Sequence, residues 1–405
     1  MTDLRTVPDL SDPDLYRTGE TEHLWARLRA DSPVFYTERA GARGFWSVLR
    51  HGHAEQVLRN NRDFTSTKGM RLDDDPAATA SSAGKMLIVT DPPRHGKIRG
   101  VMNSAFTPRM VRRLQDNMRT TVTRLLADSP DGEPFDFTEV AARLPVSVIC
   151  DMLGVPQADW DYMLRLTMTA FGAVPPDGDT SGPAEAHTEI LLYYDDLMRR
   201  RRRDPQDDIV SALVHAEVDG ARLSDEEIFL NCDGLISGGN ETTRHASVGG
   251  LLALVGNPGE LRRLREDPDL LPTAVAEILR WTSPALHVLR TAVADVELGD
   301  DRIATGDAVA VWLPSANRDE SVFADGDRFD VGRKPNRHLT FAAGTHFCLG
   351  AALANTELSV LFEEILRHTA EIEIVGETRR MRSNLIWGFE SLPVRWTRTT
   401  VSHQP

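Results

Sequence analysis

The stretch FAAGTHFCLG, residues 341–350, decides how the rest of this chain is interpreted. It holds one cysteine, Cys348, with His346 two residues before it and Gly350 two residues after it. Three small residues, Ala342, Ala343 and Gly344, come before the histidine. Taken alone, the stretch is compatible with a buried thiol, a nucleophile or a metal ligand. The rest of the chain has to distinguish these roles.

The residues after Cys348, LGAALANTELSVLFEEILRH, have the apolar period of an α-helix. The sulfur is therefore predicted to lie at a helix N-terminus, where the helix dipole and free N–H groups stabilise a thiolate. One alternative is a thiol-dependent hydrolase that uses Cys348 as nucleophile and His346 as base. That alternative gives no role to the stretch GGNETT (238–243) or to the cationic side chains at positions 95, 99 and 290.

Composition and periodicity indicate one mainly α domain, residues 1–405, with a minor β region. The hydrophobic content of 41% and charged content of 26% are ordinary for a globular protein. Strand patterns occur at GFWSVL (44–49) and within residues 290–317, and helical patterns dominate between them. Two polar stretches, RLDDDPAATASSAG (71–84) and VPPDGDTSGPAEA (174–186), are predicted to be surface loops.

Charge and hydropathy exclude several classes of partner. The net charge of −15 argues against nucleic acid. No apolar run approaches the roughly 20 residues of a spanning helix, so no membrane segment is predicted. Cysteines at positions 150, 232 and 348 are too few for a disulfide framework or a closed zinc site. We expect a cytoplasmic protein.

A helix of about thirty residues is predicted to begin at the capping box of Ser224 and Glu227 and to end near residue 256. Gly238 and Gly239 lie in its middle, where each costs about 1 kcal/mol relative to alanine. A close helix crossing and a bulky flat ligand on this face explain them equally well. An acid and an alcohol follow at 241 and 242, a pair that can relay protons.

Cationic side chains recur at four separate places. His95 and Arg99 are spaced by one helical turn, Arg290 lies in the strand-like HVLRTA, and His346 precedes the cysteine. Each is explained singly as surface charge. Together they can hold two carboxylates of a planar cofactor through charge-assisted hydrogen bonds.

Five motifs in this order resemble those of cytochrome P-450, a family of haem-thiolate monooxygenases. They are HGKIR (95–99), GGNETT (238–243), EILR (277–280), DRF (327–329) and FAAGTHFCLG (341–350). The resemblance extends to SLPVRW at 391–396 and is to the soluble bacterial members. It implies the cytochrome P-450 fold, with haem b between the long central helix and the cysteine-ligand loop. It also implies activation of dioxygen to hydroxylate or otherwise oxidise a small organic substrate, with electrons from a ferredoxin-type donor and its reductase. We expect a monomer.

The resemblance also implies roles for individual residues. Cys348 is the axial thiolate ligand of the haem iron. The cofactor-binding set is completed by His95, Arg99, Arg290, His346 and Gly350. Glu241 and Thr242 deliver protons, and Gly238 and Gly239 leave room for dioxygen. Glu277, Arg280 and Arg328 form a structural triad. From the residues alone, the Glu277–Arg280 pair is compatible with either a solvated or a buried ion pair.

The substrate is not determined by these motifs. The residues predicted to line its pocket are Leu286, His287, Val288, Leu289, Ile386 and Trp387. We expect a substrate of specialised metabolism, free or carrier-bound, with steroid or lipid oxidation as the alternative. Ring formation or carbon–carbon coupling at the same iron, and a non-catalytic haem sensor, are further alternatives.

The chain departs from the family pattern at three positions. Ala342 replaces a usual glycine, Asn355 a usual arginine and Gly326 a frequent proline. A positive φ at Ala342 would cost about 1 kcal/mol or more.

Two groups of cations are predicted to dock the ferredoxin: Arg94, Lys97, Arg109, Arg112 and Arg113, then Arg333, Lys334 and Arg337.

Overall fold

The computed structural model describes residues 8–18, 21–39, 41–105, 107–173 and 179–399, so the segment 174–178 of the second predicted loop lies outside the described residues. The helices are α1 Thr21–Asp31, α2 His51–Arg59, α3 Pro76–Ser82, α4 Arg94–Ala105, α5 Pro108–Asp128, α6 Phe137–Leu153, α7 Trp160–Ala170, α8 Ser181–Arg203, α9 Ile209–His215, α10 Asp225–Gly256, α11 Pro258–Glu266, α12 Leu271–Thr282, α13 Leu313–Ala316 and α14 Ala351–His368. The strands are β1 Val34–Thr37, β2 Phe45–Val48, β3 Phe64–Thr65, β4 Phe135–Asp136, β5 Glu217–Val218, β6 Ala221–Arg222, β7 His287–Ala292, β8 Val296–Leu298, β9 Asp301–Ile303, β10 Ala308–Trp312, β11 Thr369–Ile374, β12 Arg379–Arg380, β13 Phe389–Ser391 and β14 Pro393–Arg398. The mainly α fold class with a minor β region is confirmed.

The central helix α10 is the longest element and confirms the predicted helix closely. It spans 32 residues and begins with the Ser224–Glu227 capping box, in which side chain and backbone bond reciprocally. Its surroundings are α6, α8, α12 and α14, and their apolar side chains form the main hydrophobic core. A helix enclosed on several sides tolerates two central glycines because tertiary packing, not propensity, holds it.

A five-stranded sheet in the order β1-β2-β10-β7-β3 lies beside the helices. β10 pairs parallel with β2 and antiparallel with β7, and Val309 stands opposite Arg290. Side chains alternate along β7. His287 and Leu289 therefore point to one face of the sheet, and Val288 and Arg290 to the other.

The first predicted surface loop, 71–84, contains a short helix. Asp75 caps α3 by accepting the N–H groups of Ala77 and Ala78, and Pro76 occupies the first turn. The Asp-Pro pair is a helix-start signal, which the polar composition of the stretch obscured.

None of the helices in the described part of the chain is long and apolar enough to span a membrane.

Candidate active site

The loop that carries Cys348 is held by backbone contacts. The N–H of Cys348 donates to the carbonyl of Phe341 at 2.9 Å, and α14 begins three residues after the sulfur. Gly344 adopts φ +71°, and a Cβ at this position would lie 2.6 Å from the carbonyl oxygen of Leu58. Only glycine allows this approach to α2. The loop is therefore wedged between the end of α2 and the start of α14.

The helix N-terminus alone does not make Cys348 a thiolate in the protein without a bound partner. Burial raises the pKa of the Cys348 thiol above its ordinary value, while the Gly350 N–H and the Arg99 guanidinium act in the opposite direction. The expected stabilisation of the thiolate at the helix N-terminus is therefore opposed by burial. A thiol poised in this way is deprotonated when a metal ion binds it.

Ala342 has a left-handed backbone. Its φ is +55°, a conformation that L-residues other than glycine avoid, and its N–H bonds to the carbonyl of Leu339 at 2.8 Å. The departure from the family's glycine therefore carries strain in the ligand loop.

The two glycines of α10 face different neighbours. Gly238 has open space around its Cα, and the hydroxyl of Thr242 donates to its carbonyl at 2.8 Å. At Gly239, a Cβ would lie 3.0 Å from the side chain of Ile149 on α6. Gly239 thus allows a close helix crossing, which corrects its predicted role as space for dioxygen. Gly238 and Thr242 lie together on the open face.

Glu241 is buried and held within its own helix. Nδ1 of His245 accepts the N–H of Phe389 at 3.1 Å, so the ring proton lies on Nε2, which donates to Glu241 Oε2 at 3.2 Å. Nη1 of Arg244 lies 3.4 Å from both carboxylate oxygens. Burial opposes ionisation, but the His245 hydrogen bond and the Arg244 charge outweigh it, so the pKa of Glu241 is lowered. No hydrogen bond in the described structure joins Glu241 to Thr242.

Sequence reasoning missed His245 as the partner of Glu241. The spacing of four residues on one helix was the available signal. His245 also fills the space above Gly388, where a Cβ would lie 2.7 Å from its ring. The acid is therefore tied to the C-terminal segment.

Two of the predicted cofactor-binding histidines lie together. The ring centroids of His95 and His346 are 4.3 Å apart. Nε2 of His346 bonds to the hydroxyl of Ser66 at 3.1 Å and lies 3.9 Å from Asp91. Nδ1 of His95 is buried without a hydrogen-bond partner among the described residues. Buried polar atoms are normally paired, so this nitrogen indicates a ligand.

The two predicted arginines add unbalanced positive charge. Arg290 is 3% exposed and donates only to the carbonyl of Leu289, at 2.8 Å, among the described residues. Burial lowers its pKa to about 10. Half-buried Arg99 forms no ion pair in the described part of the chain. Buried charges are normally paired. With His95, these groups fit a planar molecule that carries two carboxylates.

The Glu277–Arg280 pair is buried, since both side chains are 0% exposed. Nε and Nη2 of Arg280 bond the two carboxylate oxygens at 2.7 and 2.8 Å. The third member is Arg333, whose Nε donates to Oε1 of Glu277 at 3.1 Å. The side chain of Arg328 is 66% exposed and pairs with Asp330. Arg328 contributes only its carbonyl, which accepts from both Arg280 and Arg333. The prediction that the side chain of Arg328 is the third member of the triad is therefore wrong.

Five of the six predicted pocket residues are buried, and only Val288 is partly exposed. Leu286, Leu289 and Trp387 belong to a hydrophobic cluster with Trp25 and Trp312. His287 is also enclosed: its Nδ1 bonds the carbonyl of Asn384 at 3.0 Å and its Nε2 the N–H of Leu72 at 3.2 Å. This corrects the prediction, because the alternation of β7 turns 287 and 289 away from Arg290. Val288 is partly exposed on the Arg290 side, and Ile386 bridges to Ala285 at the strand's start.

Most of the cations predicted to dock a ferredoxin have acidic partners. The pairs are Arg94 with Asp219 and Glu227, Lys97 with Asp219, Arg109 with Asp207, and Arg113 with Asp151 and Asp207. Arg333 is removed from this surface because it is buried against Glu277. Arg112, Lys334 and Arg337 are exposed and form no ion pair with any described residue.

Comparison with known proteins agrees with this geometry. A family model described as cytochrome P450 matches residues 184–378. Cytochrome P450 NovI of Streptomyces niveus is 39% identical over 391 residues, which cover 96% of each chain. The crystal structure of P450 OxyD, which is involved in the biosynthesis of vancomycin-type antibiotics, is 40% identical with a TM-score of 0.89 and covers 96% of this chain and 100% of that one. P450BioI in complex with an acyl carrier protein ligated to hexadec-9Z-enoic acid is 28% identical with a TM-score of 0.84, over 95% of this chain and 100% of that one.

Proposed function

Because this chain belongs to the cytochrome P450 family, we propose that it oxidises a small organic substrate of specialised metabolism. As a member of that family it is a haem-dependent monooxygenase, an oxidoreductase that acts with dioxygen. The observation that carries the metabolic assignment is the similarity to P450 OxyD along nearly the whole of both chains.

We assign the haem to the space between α10 and the Cys348 loop. In this assignment Cys348 would bind the iron, and His95, Arg99, Arg290 and His346 would hold the propionates. The unpartnered His95 nitrogen and the unpaired Arg290 charge are the observations that fit this group. When bound, haem supplies an iron centre that activates dioxygen, and a thiolate ligand favours O–O cleavage.

We propose that Glu241 and Thr242 conduct protons to the open face of α10. The Thr242 hydroxyl already lies on that face beside Gly238. Glu241 is held by a hydrogen bond from the imidazole of His245 and by two 3.4 Å contacts from Arg244. Its carboxyl group reaches Thr242 through water, or by a rotation that exchanges these contacts. His245 acts as a positioning residue, because it fixes which oxygen of Glu241 is engaged.

The substrate is proposed to enter beside Val288, the predicted lining residue that is partly exposed, and Ile386, which lies outside the Trp25 cluster. A carrier-bound substrate is proposed on the strength of the P450BioI complex with its acyl carrier protein. A tethered substrate needs only an open channel above α10, since the carrier stays at the surface.

A ferredoxin with its reductase is the proposed electron donor. The exposed, unpaired Arg112, Lys334 and Arg337 are the cations that remain to attract its acidic surface. Reversing the charge of Arg112 together with Lys334 should slow reduction several-fold at low salt and little at high salt. Equal reduction rates for this variant and the wild type at low salt would show that the donor does not dock at these cations.

One experiment tests the function. Purified holoprotein is titrated with a library of free and carrier-bound amino acids, steroids and fatty acids while the haem absorption band reports displacement of the axial water. We expect a spectral shift and NAD(P)H-dependent product formation with a specialised metabolite precursor. Cys348→Ser should abolish the red-shifted band of the reduced carbon monoxide complex. Turnover of lipids or steroids alone would overturn the metabolic assignment, and a colourless active protein would overturn the haem assignment.

A further inference from the structure

A cavity lies away from the Cys348 loop. It has a volume of about 240 Å³ and is bounded by the C-terminal half of α10, the end of α12, Glu22 of α1 and the segment from Arg380 to Phe389. None of its lining residues belongs to the Cys348 loop or to the group of His95, Arg99, Arg290 and His346. The cavity is therefore separate from the proposed haem site.

Arg380 presents its guanidinium to this cavity without a hydrogen bond to any described residue. Its charge is stacked on two rings, with the guanidinium carbon 4.7 Å from the ring centroids of Trp387 and Phe389. The nearest carboxylate oxygen, on Glu22, is 4.0 Å away. The side chain is only 21% exposed, so water does not surround it. Five N–H donors in a fixed fork are thus left for a ligand.

Arg318 adds a second guanidinium to the same wall. It is 2% exposed and stacks between Trp281 and Trp387, at 4.7 and 5.3 Å from their ring centroids. Its Nη2 donates to the carbonyl of Trp281 at 3.1 Å, and it lies 3.9 Å from Glu22. Burial lowers the pKa of Arg318 to about 10, which shows how poorly its charge is solvated.

The charges around the cavity do not balance. Arg318 and Arg380 contribute two positive charges, and Glu22 contributes one negative charge at a distance beyond a hydrogen bond. Asp327 lies 3.8 Å from Nε of Arg318, but its side chain is 69% exposed and does not line the cavity. Buried guanidinium groups favour planar, bidentate anions. The remaining wall is mostly apolar, with Leu252, Ala253 and the aromatic rings, and its polar members are Asn257 and Thr282, whose side chains donate to carbonyls of their own helices.

We propose that this cavity binds a small carboxylate with an apolar or aromatic body. The carboxylate accepts two hydrogen bonds from the fork of Arg380, and the body packs between Leu252 and Trp281. A phosphate uses the same donors but leaves the apolar wall uncovered, so the carboxylate is the better match.

The test uses holoprotein saturated with 4-phenylimidazole, so that the haem side is blocked and its absorption band reports any displacement. Sodium phenylacetate is the probe, and its binding is measured by isothermal titration calorimetry. We expect saturable binding without a change in the haem band. Arg380→Gln should weaken it at least tenfold, whereas Arg379→Gln, a change at the exposed neighbouring arginine, should leave it unchanged.

Two further measurements keep the proposal testable if Arg380→Gln does not fold. Gly256→Leu leaves both arginines in place and fills the cavity from α10, where a Cβ meets nothing within 4 Å; it should abolish binding. Phenylacetamide, which lacks the charge, and inorganic phosphate, which lacks the apolar body, should both bind at least tenfold more weakly. No saturable binding of phenylacetate by the wild type, or equal affinity for phenylacetate and phenylacetamide, would overturn the proposal.

Discussion

Nε of Arg333 lies 3.1 Å from Oε1 of Glu277, and both side chains are almost fully buried, at 9% and 0% exposure. Arg333 also donates to the carbonyls of Ala324, Asp325 and Arg328. One guanidinium therefore joins α12 to the irregular segment that leads to the Cys348 loop. Loss of the Arg333 guanidinium therefore affects the position of that segment as well as the ion pair with Glu277.

Arg333→Leu should destabilise the protein by roughly 3 kcal/mol, because it removes a charged partner of the buried Glu277 and leaves the carbonyl of Ala324 without a donor among the described residues. Urea unfolding followed by circular dichroism measures the change. Arg328→Leu, five residues earlier, is the matched control and should shift stability by less than about 0.5 kcal/mol, since that side chain is exposed. Equal effects of the two variants would contradict the observed triad.

Ala342→Gly should stabilise the folded protein by about 1 kcal/mol, because glycine adopts φ +55° without the Cβ strain. Ala343→Gly is the control, since Ala343 has an ordinary extended backbone with φ −150°. The control should lose about 0.5–1 kcal/mol through unfolded-state entropy. Thermal unfolding midpoints of the two variants should therefore move in opposite directions. Parallel shifts would show that the loop backbone is unstrained.

Glu357 makes stability fall as pH rises. Burial raises the pKa of its carboxyl from the ordinary 4.5 to about 8, and Oε2 has no hydrogen-bond partner in the described structure. Between those two values the folded state keeps a proton that the unfolded chain releases, so stability is full below pH 4.5 and decreases up to about pH 8.

Glu357→Gln removes that ionisation. The free energy of unfolding of the variant minus that of the wild type should therefore increase between about pH 5 and about pH 8. The increase should be on the order of 3 kcal/mol. Urea midpoints of both proteins at the two pH values give the difference. Glu371→Gln, at an exposed position, should show no such gain. A pH-independent difference between Glu357→Gln and wild type would refute the raised pKa.

Thr242→Ala should divert reducing equivalents into hydrogen peroxide several-fold more than the wild type does, because the hydroxyl on the open face of α10 is lost. Peroxide and product are measured per NAD(P)H consumed. Thr243→Ala is the matched control: that side chain is 4% exposed and belongs to the protein interior. It should leave the ratio of product to peroxide unchanged. Tight coupling in Thr242→Ala would show that the hydroxyl is not part of proton delivery.

Local sequence features determined the elements that hold the site. The Ser224–Glu227 capping box and apolar period placed α10 to within a few residues, because capping and helical hydrogen bonds act over one or two turns. The order of motifs around Cys348 identified the family. The guanidinium of Arg290 and the imidazole of His95 were likewise visible, since residue type alone supplies these groups.

Side-chain partners depended on the tertiary structure. Whether Arg328 or Arg333 reaches Glu277 is decided by the path of an irregular segment, which no period describes. Which of Gly238 and Gly239 faces α6, and whether Trp387 faces the substrate or Trp25, depends on the rotation of one element against another. Local hydrogen bonds specify helices and turns from neighbouring residues, whereas contacts between distant residues form only when the packed core fixes both backbones. The motifs therefore determined the family and its chemistry, and packing decided which atoms meet.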